Sequence, residues 1–356
     1  MQAVKVVDSF DLAEWPVMDA FLAENYRAGY VMRNRALFDW HFGRDDEPGT
    51  ANVICAYSDG RLVGILGYMP MDLFWGDAGK PLRGAWMANW MVTPDFRHGV
   101  GALIMRRLME KFPVLLGQGA GLMNVPIAKI LKFTIFDRIP RYLAVFDVAR
   151  TRAFMTGDEG GDMDGLAIGE AAPGDNVNDG LPPGYDPDWA AYPSIVFGTV
   201  RSAQYLDWRY LRHPVFSYRI KSTGGARHPA VCIYRVENTR GSAQYPVGRI
   251  TELFFPDTES GRQDGIRVLK AALADLQRAD CAFADHYCSS GPCRSVIEAA
   301  GMETATDLPL ATRLSPIEAT HHHQNLEVWS KPANPYPSDL GDFYITKADG
   351  DQDRPN

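Results

Sequence analysis

The heptapeptide Ala36-Leu-Phe-Asp-Trp-His-Phe42 returns in altered form as Gln204-Tyr-Leu-Asp-Trp-Arg-Tyr210. The match sets Asp39 against Asp207 and Trp40 against Trp208, an offset of 168. A helix expected to open at Gly101 has a counterpart expected to open at Gly265, an offset of 164. Two near-equal offsets point to a duplicated unit. Between the copies, residues 156–193 lose all apolar periodicity and fill with Gly, Pro, Asp and Asn, which reads as a linker. The expected organisation is a first domain over 1–155, a linker over 156–193, and a degenerate second domain with a polar tail over 194–356. The 356 residues suit two domains of ordinary size, and each core is large enough to stand without a disulfide or metal staple.

The pattern within each half is mixed α and β. A strand over 4–7 precedes a helix over 11–26 with Asp11 as N-cap. Asp59-Gly60 joins strands 52–58 and 61–71 in a hairpin. A strand over 81–92 leads to an amphipathic helix over 99–112, with Leu103, Ile104, Leu108 and Phe112 on one face. A buried strand 114–117, a helix 125–133 and a closing strand 141–148 complete the half. The second half offers strands 217–222, 230–236, 247–255 and 281–288, helices 263–276 and 292–300, and late strands 326–330 and 343–346. The last eight residues, 349–356, read as solvated.

Charge and cysteine usage narrow the function. A net charge of −8 argues against a nucleic-acid partner. No apolar run reaches the roughly 18–20 residues of a membrane span, and residues 1–8 lack a signal peptide's basic head and apolar run. Five cysteines, an odd number with no framework, fit free thiols in a reducing cytoplasm. Cys288 and Cys293 lie near His286 but have no second ligand pair at zinc spacing, so no metal is expected. His321-His-His323 reads as a solvated loop.

The informative segment is Trp90-Met-Val-Thr-Pro-Asp-Phe-Arg-His-Gly-Val-Gly-Ala102, a strand, a two-glycine turn and a helix start. Glycine there permits close backbone approach by a ligand. A helix N-terminus offers unpaired N–H groups and partial positive charge, which together cradle a pyrophosphate. Arg97 and His98 add side-chain donors. The P-loop ending Gly-Lys-Ser/Thr is absent, and the dinucleotide fingerprint fails because Ile104 takes its third glycine position.

This segment resembles the coenzyme-A loop of the GCN5-related N-acetyltransferase (GNAT) superfamily, shortened by one residue between Arg97 and Gly99. The preceding hairpin, Gly60-Arg-Leu-Val-Gly-Ile-Leu-Gly-Tyr68, is similar to that superfamily's second and third strands. Asn124 fits a later motif whose Gly-Phe pair is replaced by Ile135-Phe136. The resemblance covers residues 1–150 and extends to 195–356 as a degenerate copy. It implies an α/β fold of two tandem GNAT-like domains, each a mixed, mostly antiparallel sheet flanked by helices. It implies acetyl-CoA as cofactor. The pyrophosphate would lie on the amides from Arg97 through His98, Gly99, Val100 and Gly101 to Ala102. The pantetheine arm would pair with the main chain of Met91 and Val92 and touch Asn124. In the second copy, Ser260-Gly-Arg-Gln-Asp-Gly-Ile-Arg267 sets Asp264 where a phosphate would sit, so that site reads as disabled.

The resemblance implies direct attack of an amine on the thioester, but the usual acid and base are missing. The tyrosine expected seven residues after Asn124 is Leu131, and residues 83–90 carry no carboxylate. The replacement candidates are Asn89 beside Trp86 and Trp90 (which share a face if the strand is regular), Tyr142, Asp39, His41, and Asp285 or His286. The last two are strand neighbours on opposite faces. The expected protein is a cytoplasmic N-acetyltransferase acting on a small amine, a nucleotide-linked amino sugar of bacterial surface polysaccharides being the first choice. Neither nucleic acid nor membrane is an expected partner, and a homodimer is left open. Two alternatives stand beside it: a catalytically silent acyl-CoA-binding scaffold, and an aminoacyl-tRNA-dependent peptidyl transferase, which the acidic charge opposes.

Overall fold

A computed structural model describes residues 3–77, 80–119, 121, 124–156, 163, 166, 176–239, 244–312 and 324–353. Residues 157–162, 164–165 and 167–175 of the linker, and His321–His323, lie outside the described residues. The first sheet is built from β1 (Val4–Val7), β2 (Val53–Ser58), β3 (Arg61–Trp75), β4 (Leu82–Val92), β5 (Val114–Gln118) and β6 (Thr134–Phe136). Asp59 and Gly60 both take positive φ, the geometry that a two-residue hairpin turn requires. Helices α1 (Trp15–Asn25) and α2 (Arg35–Phe42) cover one face, while α3 (Val100–Lys111) and α4 (Val125–Ile130) cover the other. On α3 the core-facing residues are Val100, Ile104, Met105 and Leu108. Leu103, expected on that face, is 45% exposed because it lies just off the stripe.

The chain then departs from two separate domains. Strand β7 (Arg141–Val145), expected to close the first sheet, pairs instead in the second. That sheet also holds β9 (Arg219–Thr223), β10 (Ala230–Asn238), β11 (Pro246–Phe254) and β12 (Phe283–Tyr287), and β8 (Phe197–Thr199) joins β3 of the first sheet. The vacant slot between β5 and β6 is filled by β13 (Leu326–Ser330), antiparallel to both. The first sheet therefore takes β13 and β8 from the second half of the sequence and the second sheet takes β7 from the first, so no single cut in the chain separates them. Apart from Arg141, Glu327 and Ser330, β7 and β13 present the apolar side chains that an interior slot of either sheet can bury.

The repeated heptapeptides meet where the halves touch. Trp40 of α2 stacks on Trp208 with ring centroids 4.9 Å apart and planes 15° from parallel. Each indole N–H donates to the other tryptophan's carbonyl, both at 3.1 Å. Trp208 lies in a wide π-type turn over 207–211 that continues α5 (Ala203–Leu206). Both helices begin alike: Asn34 accepts from Leu37 N–H and Ser202 from Tyr205 N–H. Asp39 and Asp207 pair with Arg35 and Arg212 rather than capping anything.

Two tail expectations are corrected. Residues 343–346 form an extended segment with a single bridge, Cys288 to Thr346, rather than a strand. Asp349, Asp351 and Asp353 are buried, not solvated; Arg201 offsets the desolvation of Asp349, and Arg209 and Arg235 that of Asp353.

The reciprocal tryptophan contact predicts coupled stability. Trp40→Ala and Trp208→Ala should each destabilise the protein, and the double variant should lose about 1–2 kcal/mol less than the sum. A urea-unfolding double-mutant cycle reads this directly, and additive losses would contradict it.

Candidate functional site

Strands β4 and β5 run parallel only from Ala85 and Leu115 to Met87 and Gly117. Beyond that point they part. β4 continues to Val92 paired with β3 on its other edge, and a bulge interrupts that pairing where Asn89 adopts φ +54°. The bulge adds one residue and inverts the alternation of side chains. Trp86 therefore packs in the α1–α2 core, its indole bonded to Thr199, while Trp90 lies on the α3 side against Gly101. The expectation that the two tryptophans share a face fails for this reason.

The parted strands open a cavity of about 330 Å³. β4 lines it with Met87 to Met91, and the end of β5 with Gly117, Gln118 and Gly119. Tyr26, Arg27 and Tyr30 come from the segment between α1 and α2, Asn124 from the start of α4, and Asp351 and Gln352 from the tail. Tyr26 and Tyr30 stack at 4.1 Å, and the Tyr30 hydroxyl donates to Asn89 Oδ1. Gln352 Nε2 donates to the Gln118 carbonyl at 3.0 Å.

Glu327 also lines the cavity. It sits on β13 between Leu326 and Val328, which face the α1–α2 core, and its own side chain turns to the other face beside Met87. Gly117 makes room for it: a Cβ there would lie 2.8 Å from Glu327 Oε2 and 2.9 Å from the Met87 methyl. Burial, with no charged partner, pushes the carboxyl from 4.5 up to about 7. Among the described residues its Oε1 has no hydrogen-bond partner. Sequence reasoning missed it, although an acidic residue inside the apolar run Leu326-Glu-Val-Trp329 was a visible signal.

Beside the cavity, Gly99 enters α3 at φ +105°, a conformation that favours glycine, and a Cβ on it would meet open space. The first hydrogen bond of the helix runs from Leu103 N–H to the Gly99 carbonyl at 3.0 Å. The amides of Val100, Gly101 and Ala102 therefore have no partner within the helix. Arg97 Nε holds the Val92 carbonyl at 3.3 Å, and His98 is exposed.

No protein-family model matches the sequence, and no curated protein matches it. Solved structures do. Saccharomyces cerevisiae N-myristoyltransferase with bound myristoyl-CoA aligns over 97% of this chain and 87% of its own, at TM-score 0.56 and 9% identity. A putative acetyltransferase from Pyrococcus horikoshii aligns over 97% and 94%, at 0.51 and 12%. A GCN5-related N-acetyltransferase from Kribbella flavida aligns over 93% and 72%, at 0.53 and 14%. The chain shares the fold of these acetyltransferase and N-myristoyltransferase structures.

The second GNAT-like half keeps the architecture and closes the site. β11 and β12 run parallel from Gly248 to Ile250, and a bulge follows at Thr251. The tail segment lies against both strand ends. The Tyr344 hydroxyl reaches Glu252 at 2.8 Å and accepts from Leu253 N–H, and Ile345 exchanges two 2.9 Å hydrogen bonds with Ser289. Helix α6 (Glu259–Arg278) begins six residues before Gly265, so Gly265 is interior rather than an opening glycine. Thr258 caps that helix by accepting from Gly261 N–H.

Of the residues singled out from sequence, Asn89, Met91 and Asn124 line the cavity. Val92 ends β4, and Arg97, His98, Gly99, Val100, Gly101 and Ala102 form the adjoining turn. Asp39 and His41 stay on α2, outside the lining, His41 packed between Trp40 and Phe42. Tyr142, Asp285 and His286 are buried in the second sheet, far from the cavity in topology. Against the cost of burial, Arg249 and Arg141 hold the Asp285 carboxyl at about 2. Burial lowers His286 to about 4, with Nδ1 at 3.0 Å from the Ile250 carbonyl. Burial raises the Tyr142 hydroxyl. Leu131, in the place of the usual tyrosine, is buried against α3. All five cysteines are buried and free. Among the described residues there is no metal-binding cluster, and no helix is long and apolar enough to cross a membrane.

The raised Glu327 pKa has a stability consequence. The folded state binds the extra proton between about 4.5 and 7. The Glu327 contribution is thus full below about 4.5 and lost as pH rises to about 7, a change of up to about 3 kcal/mol. Because the buried His286, held low, contributes the opposite trend, the test is a difference: chemical denaturation across that range should show a pH slope more downward in the wild type than in Glu327→Gln. An unchanged slope would contradict the assigned protonation.

Proposed function

We propose that the chain is an acyl-CoA-dependent N-acyltransferase, with acetyl-CoA as donor and a small amine as acceptor. The carrying observation is the parting of β4 and β5 at Met87 and Gly117, beside a glycine-led helix start. The residues present fit the donor. The Val100, Gly101 and Ala102 amides and the Arg97 and His98 side chains suit a pyrophosphate. The β4 edge at Met91 and Val92 faces no strand and suits a pantetheine amide, with Asn124 beside it. Bound acyl-CoA supplies an activated thioester carbonyl. The chain supplies orientation, which can be worth about 7–11 kcal/mol, and a buried proton-holding group.

The solved N-myristoyltransferase relative binds a long acyl chain, but the lining here favours a short one. Glu327, Gln118, Asn89 and Asp351 make this cavity polar, and a hydrocarbon chain would bury them without hydrogen-bond partners. Within the class of small amines, the acceptor we propose is a nucleotide-linked amino sugar. Tyr26 offers an aromatic surface and Arg27 a cation suited to its phosphates. The donor implies a cytoplasmic site of action.

Thermal unfolding with acetyl-CoA, using NAD as control, tests the donor. Ligand at 100 times its Kd should add about 2.7 kcal/mol, a shift of a few degrees. Gly99→Glu should lose the shift, since it brings both a strained φ and a negative charge to the helix start. Thiol release in the presence of an amine panel tests transfer. No shift at millimolar ligand contradicts the donor, and binding without thiol release for any amine would indicate a silent binding module.

A further inference from the structure

We propose that Glu327, carried into the first sheet by the exchanged strand β13, is the proton acceptor for the attacking amine. This assignment rests on the acyltransferase reading above. Glu327 is only 5% exposed, yet it lines the cavity formed where β4 and β5 part, in company with Asn89 and Gln118. Among the described residues its Oε1 lacks a hydrogen-bond partner, as does Gln118 Oε1. A buried carboxyl without partners costs stability, and Gly117 keeps open the space it occupies. Structural carboxylates elsewhere in this protein look different: Asp285, Asp349 and Asp353 are each held by a buried arginine.

The surroundings fit a group that must change protonation. Its strand neighbours, Val114–Gln118 and Thr134–Phe136, contain no titratable side chain. The other titratable groups lining the cavity are Asp351, Arg27, Tyr26 and Tyr30. Among the described residues no ion pair engages Glu327, so burial alone holds its carboxyl near neutrality, where a general base is most effective.

The step balances. The amine nitrogen forms a bond to the acyl carbon, the C–S bond breaks, and the nitrogen sheds one proton. Glu327 takes that proton and returns it to the departing thiolate, so amine and thioester become amide and thiol and the carboxylate is regenerated. The base comes from a strand more than two hundred residues beyond the coenzyme loop, so the first half of the chain cannot complete its own site.

Glu327→Gln is the test. It should lower kcat for acetyl transfer to the best amine of a panel by about 100-fold or more. It should leave the acetyl-CoA thermal shift in place and abolish the rise of kcat with pH centred near 7. Carbon-13 NMR of glutamate-labelled protein should show one carboxyl titrating near 7 that is absent from the variant. A variant that binds acetyl-CoA and keeps the wild-type kcat and pH profile overturns the assignment alone. A wild-type protein that neither binds acetyl-CoA nor releases thiol overturns the transferase reading and this assignment together.

Discussion

The exchange of β7 and β13 between the two sheets is the constraint on which the rest of the structure depends. After β6 the chain crosses to the second sheet and leaves a slot beside β5 that only residues 326–330 fill. A parallel pair that parts midway, as β4 and β5 do, needs a firm neighbour on its far side, and β13 is that neighbour. It brings Glu327 to the cavity. It also forces the tail back through the seam between the sheets, where Asp351 and Gln352 join the lining and Tyr344 closes the opening in the second half.

The seam is stabilised by charge as much as by apolar contact. Arg201 pairs with both Glu252 and Asp349, all three fully buried. Asp353 meets Arg235, which reaches Glu237; Arg249 then links Glu237 to Asp285, and Arg141 holds the far side of Asp285. Removing one partner from such a network leaves a buried charge uncompensated, which is far more costly than the net value of the pair. Lys347 belongs to the same region, its ammonium pushed down to about 7 chiefly by burial and then by Arg249. These ionic contacts fix the tail in one register, and through it the floor of the cavity.

The duplication was legible because Trp40 and Trp208 make the same contact from both sides, so the same residues recur. The Asp59-Gly60 hairpin and the Gly99 turn were legible because local backbone geometry dictates them. The strand exchange was not, since β7 and β13 carry the apolar pattern of any interior strand and nothing local states which sheet receives them. The bulge at Asn89 was hidden for a similar reason: one residue of irregularity moves Trp90 to the other face without changing composition. The acidic tail read as solvated because its arginine partners lie more than a hundred residues away in sequence. Glu327 was not legible because the resemblance implies a carboxylate on β4, and nothing local ties residue 327 to that strand's neighbourhood.

One donor site in a doubled fold is the central claim, and titration calorimetry with acetyl-CoA tests it most directly. The account predicts a stoichiometry of one per chain, because the second half has a capped helix start and Tyr344 at its parted strands. Two equivalents per chain, or no heat of binding at millimolar ligand, would contradict it.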